Sequence, residues 1–270
     1  MRVSCSSITF EALMKARLMT LSDLFKLVKD FDIDAVELQY EHIPSLSQSY
    51  IDTLLKEAQR EEVSIVALSV NNRFGFPEET KREMELERIR RAMSIAVALG
   101  ARVIKLSAGE SHPSDADYDR CKSWVVDAFL KIAEMAERME LPVAVKNEEG
   151  VCAHPEELLW LIDEVNSPYL GICLDALNLI QCGLSGDSVY EAVELLAPFA
   201  MHSHARFSNF NEAGDDMLLD YERLMRIFAG AEYEGFHSIV DPSDNPLERL
   251  PIAVTLLRRS IQMALSSPHR

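Results

Sequence analysis

The sequence predicts one closed (β/α)8 barrel spanning residues 1–270 as a single domain, and three observations carry that prediction. The chain has 270 residues, near the roughly 250 typical of such a barrel. Apolar runs of strand length alternate with amphipathic runs of helix length, and eight strand-helix units can be counted. No Pro/Gly/Ser-rich linker and no block of like charge interrupts them. Residues 141–178 show the unit most plainly, with a short apolar strand ending at Lys146, a helix over 155–165 and a second strand ending at Asp175. That spacing leaves no room for a hairpin, so the two strands are parallel. In closed barrels the carboxyl ends of the strands face the reacting ligand. Lys146 and Asp175 are therefore expected side by side at one mouth, with Ala144 and Cys173 sharing their parity.

The elements follow in order. The first strand covers 2–6 and precedes a helix near 21–31; the second covers 33–39 and precedes a helix over 45–61 with Ser45 as its cap. The third, 63–70, ends in a polar loop, 71–77, placed to help cover a site. A long helix over 78–99 follows, with Met84, Ile89, Met93, Ala96 and Val97 as its apolar face and Gly100 as its stop. The fourth strand, 101–107, leads to a helix over 118–140 with Trp124, Phe129 and Ile132 as core positions. After the pair of strands already described come a helix over 187–196, a strand over 199–207, a helix over 220–228, a strand over 235–241 and a last helix over 246–264.

Composition narrows the function. Hydrophobic residues make up 48% of the chain, enough for a substantial core, and the formal net charge is −17. Binding duplex nucleic acid needs clustered Lys and Arg, so that charge argues against a nucleic-acid partner and for a small-molecule substrate. The odd, scattered set Cys5, Cys121, Cys152, Cys173 and Cys182 contains no CxxC pair and reads as reduced thiols of a cytoplasmic protein. No run of about 18 apolar residues occurs, so no membrane partner is expected.

Five segments together resemble the xylose isomerase-like TIM barrel superfamily of sugar (phosphate) isomerases, epimerases and dehydratases, which also has a DNA-repair endonuclease branch. DIDAVELQ resembles its second strand with an inward Glu, here Glu37. ALGARVIKLSAG resembles the passage into its fourth loop, and SPYLGICLDALNL its sixth strand with a metal-binding Asp, here Asp175. MHSHARF resembles the seventh strand with a metal-binding His, here His204, and EGFHSIVDP the eighth. The resemblance implies a sugar isomerase or epimerase acting on a small polar carbohydrate or keto compound, in which a divalent metal held by Glu, Asp, His and Glu of strands five to eight polarises an oxygen while a carboxylate moves a proton.

Two of those four ligands are missing. Lys146 stands where the fifth-strand Glu is expected and Val240 where the eighth-strand Glu is expected. Against a usual site charge of about −1, Asp175, His204 and an ammonium sum near zero without an ion. No cofactor is expected on that ground. If Mn²⁺, Mg²⁺ or Zn²⁺ binds, Asp175 and His204 would hold it, with Glu148, Glu149 or Asp241 as replacement ligands wherever a strand slips register. A barrel that binds a ligand or partner without turnover is the competing reading. The endonuclease branch would need a metal cluster that this sequence does not show.

The residues expected at the site are Glu37, Lys146, Asp175 and His204 for chemistry and Lys105, His202 and Arg206 for substrate. Lys146 is a Schiff-base nucleophile if desolvation lowers its pKa; otherwise it forms a salt bridge to Asp175 or Glu37. Lys105 carries the same two readings, and Glu37 is a general base or the buried partner of Lys146. Arg206 is placed to clamp a phosphate or carboxylate, or else is a surface residue. Glu110, His112, Asp115, Asp117 and Asp119 suggest a metal loop by composition but lack calcium-loop spacing, so a solvated loop is expected.

Overall fold

Strands such as SIVALS, VIKLS and LGICLD are apolar at most positions because both of their faces are covered, and they assemble accordingly. Eight parallel strands close in sequence order: β1 (Arg2–Ser6), β2 (Ala35–Gln39), β3 (Ser64–Ser69), β4 (Val103–Ser107), β5 (Val143–Lys146), β6 (Leu170–Asp175), β7 (Ala200–Arg206) and β8 (Phe236–Val240), with β8 pairing back to β1. The computed structural model describes residues 1–109, 118–148 and 150–266. Glu110, His112, Asp115, Asp117 and Glu149 lie outside the described residues.

Around the barrel run α1 (Glu11–Lys15), α2 (Leu21–Asp30), α3 (Gln48–Arg60), α4 (Glu79–Ala98), α5 (Tyr118–Met139), α6 (Pro155–Val165), α7 (Ala176–Gln181), α8 (Asp187–Leu196), α9 (Tyr221–Gly230) and α10 (Pro246–Ser266). Their starts follow local chemistry. Thr20 and Asp23 form a reciprocal capping box on α2, Pro155 fills the first turn of α6, and the Asp220 side chain accepts the Arg223 N–H at the start of α9.

Several expectations change. The cap of α3 falls at Ser47 rather than Ser45. On α4 the buried stripe is Ile89, Ala92, Met93 and Ala96, whereas Met84 is 73% exposed. Five residues before Ile89, Met84 lies about 140° round the helix, off the stripe. Val97 is likewise exposed, and Trp124 is half-buried. Neither α1 nor α7 was expected; both are short, α7 starting directly at the end of β6 and α1 following a 3-10 turn over Ser7–Phe10.

The interior follows the predicted parity. Ala67, Val103, Ala144 and Cys173 form a small apolar layer inside the barrel. One pleat further along the same strands come Ser69, Lys105, Lys146 and Asp175, so the polar side chains sit on the carboxyl side of an apolar floor. Gly171 is needed where the chain entering β7 runs close against β6, because a Cβ there would lie 2.6 Å from the Phe199 carbonyl oxygen. All five cysteines are free. Among the described residues no helix is long and apolar enough to cross a membrane.

Candidate functional site

The polar interior divides into two clusters joined by His204. The deeper one is built on Glu37, which is fully buried beside a register irregularity in β2. A buried carboxylate is costly unless several donors meet it. Here the Ser6 hydroxyl donates at 3.1 Å, His202 Nε2 lies at 2.8 Å and His204 Nε2 at 3.0 Å. Lys105 Nζ adds a cation at 3.8 Å. His202 also meets Ser238 Oγ at 3.0 Å, and Ser238 meets Ser4 at 2.6 Å, so the network runs down to the first strand.

These contacts set the charges. Burial works to raise the Glu37 pKa, but the charges of His204 and Lys105 and the hydrogen bonds from both histidines hold it well below the usual carboxylate range. For His204 burial opposes the charged form, yet Cys173, Glu37 and Asp175 overcome it and lift the imidazole to about 10. Burial wins at His202, whose pKa is lowered, leaving a neutral ring at pH 7. The expected Glu37–Lys146 pair is thus corrected to Glu37–Lys105.

The second cluster lies at the ends of β6 and β7, where Asp175 registers with His204. Asp175 Oδ1 accepts the N–H groups of Leu177 at 3.0 Å and Asn178 at 3.2 Å, and so caps α7. Its other oxygen makes no hydrogen bond although it is buried. That oxygen faces Arg206 Nε at 3.4 Å and His204 Nδ1 at 3.7 Å. Burial raises the Asp175 pKa, but His204, Arg206 and Lys146 together bring it down to about 2. Arg206 Nη2 donates to Gln181 Oε1 at 2.9 Å and to Asn178 Oδ1. Arg206 Nε and Asn178 Nδ2 are themselves buried without a hydrogen-bond partner. Two donors and one acceptor therefore lack hydrogen bonds within a few side chains of each other, although Arg206 Nε and Asp175 Oδ2 are ion-paired.

Lys146 departs from expectation. It registers with Cys173, and its ammonium pairs with Glu148 at 3.0 Å rather than with Asp175 or Glu37. The Ser107 hydroxyl donates to the same Glu148 carboxylate from β4. Burial works to lower the Lys146 pKa, but Glu148 and then Asp175 outweigh it and raise it, so the amine is charged and a poor Schiff-base nucleophile. Asp241 brings no ligand to the mouth: its carboxylate is held by Arg249 Nε at 2.7 Å and by the Ser243 N–H at 3.0 Å. Val240 registers with Arg206, so the end of β8 contributes an apolar side chain. Asp119 lies in the first turn of α5, away from these clusters.

Sequence reasoning missed two asparagines that fix the mouth. Asn147 Nδ2 donates to the Asp175 carbonyl at 2.9 Å while its Oδ1 accepts the Asp175 N–H at 2.8 Å. Asn72 makes the same paired contact with Ser107, at 2.6 and 2.8 Å. Each side-chain amide extends a ladder by one rung past the strand that precedes it. The available signal was an Asn close behind a strand, one residue past β5 for Asn147 and three past β3 for Asn72.

Two donor sets bear on a metal. At Asp175 and His204 only one carboxylate oxygen and one ring nitrogen remain, flanked by Arg206 and Lys146, so this pair does not fit a dication. Glu37, His202 and His204 have suitable ligand types, with their atoms within 4.8 Å of one another. The Lys105 ammonium beside Glu37 works against an ion there.

Comparison with known proteins agrees with the fold. A model of the xylose isomerase-like TIM barrel family matches residues 25–262. A search of curated proteins returns no match. Solved structures are similar over nearly the whole chain. The D-psicose 3-epimerase of Clostridium cellulolyticum H10, determined with D-tagatose, is 12% identical with a TM-score of 0.82, covering 97% of this chain and 99% of that one. A D-tagatose 3-epimerase-like protein is 20% identical with a TM-score of 0.79, covering 98% of each chain. An L-ribulose 3-epimerase is 14% identical with a TM-score of 0.79, covering 100% of this chain and 99% of that one. At these identities the likeness concerns the fold.

Proposed function

The chain belongs to the xylose isomerase-like TIM barrel family, and from that premise we propose that it acts as a sugar isomerase or epimerase-like enzyme on a small polar carbohydrate or keto compound. The observation that carries this reading is the unmade hydrogen bonding at the mouth, where Asp175 Oδ2 and Arg206 Nε, ion-paired to each other at 3.4 Å, and Asn178 Nδ2 are all buried without a hydrogen bond. Buried polar atoms of this kind are costly and call for a partner. A ligand hydroxyl satisfies Asp175, and a carbonyl, carboxylate or phosphate oxygen satisfies Arg206 and Asn178.

The reaction asks for a carboxylate to move a proton on the carbon beside a carbonyl and for positive charge near the oxygen that becomes negative. Glu148 is the carboxylate in this reading, held between Ser107 and Lys146, since a group with a pKa of about 2 such as Asp175 is a weak base at pH 7. Lys146, Arg206 and the charged His204 supply the cations, in place of an ion at Asp175 and His204. Glu37, Lys105 and His202 position His204 from below. The neighbouring sugar epimerase structures support a carbohydrate ligand by analogy of fold.

Binding without turnover is the second reading, favoured by the depressed Asp175 and the permanently charged Lys146. Deuterium exchange separates the two. Chelator-treated protein is incubated in D₂O with ketoses, keto acids and their phosphorylated counterparts, and mass spectrometry reads deuterium at the carbon beside the carbonyl. Exchange without added metal, lost in Glu148→Gln, is the expected result. Exchange only after Mn²⁺, Mg²⁺ or Zn²⁺ is added overturns the metal-independent part, and ligand-induced thermal stabilisation without exchange establishes the second reading.

A further inference from the structure

We propose that Lys105 is a tethered counter-cation that holds shut a transition-metal site made by Glu37, His202 and His204. This inference stands on the deeper cluster and does not depend on the reaction proposed at the mouth.

Both histidines already stand near ligation spacing from Glu37, and the three donor atoms lie within 4.8 Å of one another. Glu37 Oε2 lies 2.8 Å from His202 Nε2 and 3.0 Å from His204 Nε2, and donors about 2.0–2.1 Å from a tetrahedral zinc stand roughly 3.3 Å apart. The strands explain the convergence. His202 and His204 share parity on β7, and the register irregularity at Val36/Glu37 lies where β2 presents the carboxylate from across the barrel. Asp175 Oδ2 lies 3.7 Å from His204 Nδ1, beyond hydrogen-bond distance, where its negative charge favours a proton on that nitrogen and leaves Nε2 as the one facing Glu37. The hydroxyls of Ser6 and Ser238 already contact Glu37 and His202.

What opposes an ion is charge. The Lys105 side chain comes from β4, is 8% exposed, and places Nζ 3.8 Å from Glu37 Oε1. Like charge at this range, in a partly dry interior, weakens dication binding by a factor on the order of a thousand or more. In the protein as it stands, the Lys105 ammonium and the charged His204 supply the positive charge facing Glu37, and with a proton on each Nε2 the two histidine contacts are hydrogen bonds to its carboxylate. Binding a dication would displace both protons, one leaving to solvent from the charged ring and one moving to the other nitrogen of the neutral ring.

The test uses the full chain, stripped with chelator and titrated with Co²⁺, with visible d–d absorption and elemental analysis of the zinc-loaded protein as readouts. Lys105→Met, which keeps the apolar stem, is expected to bind one Co²⁺ per chain with the intense bands of a tetrahedral ion, at least a hundredfold tighter than wild type. Lys105→Arg, which keeps the charge, stays at the wild-type level, and adding Glu37→Gln to Lys105→Met abolishes the bands. Where Lys105→Met fails to fold by circular dichroism, Lys105→Gln carries the same comparison. Wild-type protein that binds Co²⁺ as tightly as the Met variant, a folded Met variant that binds no better than wild type, or bands that survive Glu37→Gln would each overturn the proposal.

Discussion

The Glu37 cluster and the Asp175 cluster contain similar residues and differ in how completely they are paired. Around Glu37 a hydroxyl, two imidazoles and an ammonium converge on one carboxylate. Around Asp175, one oxygen caps a helix and the other faces Arg206 and His204 without a hydrogen bond, beside an Asn178 Nδ2 that also has none. The difference teaches where ligand binding belongs. A saturated network has nothing to offer a substrate and holds the barrel in one arrangement, whereas buried groups left unmade carry a cost that a ligand removes.

Glu37→Gln breaks this contrast most severely. It leaves Lys105 and the charged His204 buried without their counter-charge, and loss of about 3–5 kcal/mol of unfolding free energy in urea is expected. Asp175→Asn sharpens the contrast from the other side. Asparagine still caps α7, so the stability loss is about 1–2 kcal/mol, while ligand-induced thermal stabilisation disappears. Equal losses in the two variants would erase the distinction between the clusters.

A third expectation concerns acid. The folded-state pKa of Asp175 is depressed from 3.8 to about 2. The stability it contributes is present above about pH 4 and is lost as pH falls towards 2, because the unfolded chain takes up the proton first. Denaturation profiles of Asp175→Asn should be flatter than wild type across that interval, and an unchanged acid limb would contradict the charge assigned to this residue.

Much of the barrel was legible because strand parity and helix period are local rules. Val103 with Lys105, Ala144 with Lys146, and Cys173 with Asp175 share a face as the sequence pattern requires. Partner choice was not legible. Which cation reaches Glu37 depends on strands that are not neighbours and on a register irregularity in β2, and these give the carboxylate to Lys105 instead of Lys146. Lys146 finds Glu148 because the chain just past β5 turns that side chain back over the strand end. The cap on α7 was hidden because Asp175 reads equally well as a strand terminus, and ALNLI carries no stop or start signal of its own.

In the proposed reaction the mouth of the barrel works through its own cations, Lys146, Arg206 and His204. The most direct measurement is a crystal structure of the protein grown with Mn²⁺ and a keto sugar that it turns over. The predicted result places a ligand hydroxyl on Asp175 Oδ2 and a ligand oxygen on Arg206 and Asn178, with Lys146 still paired to Glu148 and no anomalous manganese peak beside Asp175. A manganese ion coordinated by Asp175 and His204, with Lys146 turned away, would contradict it.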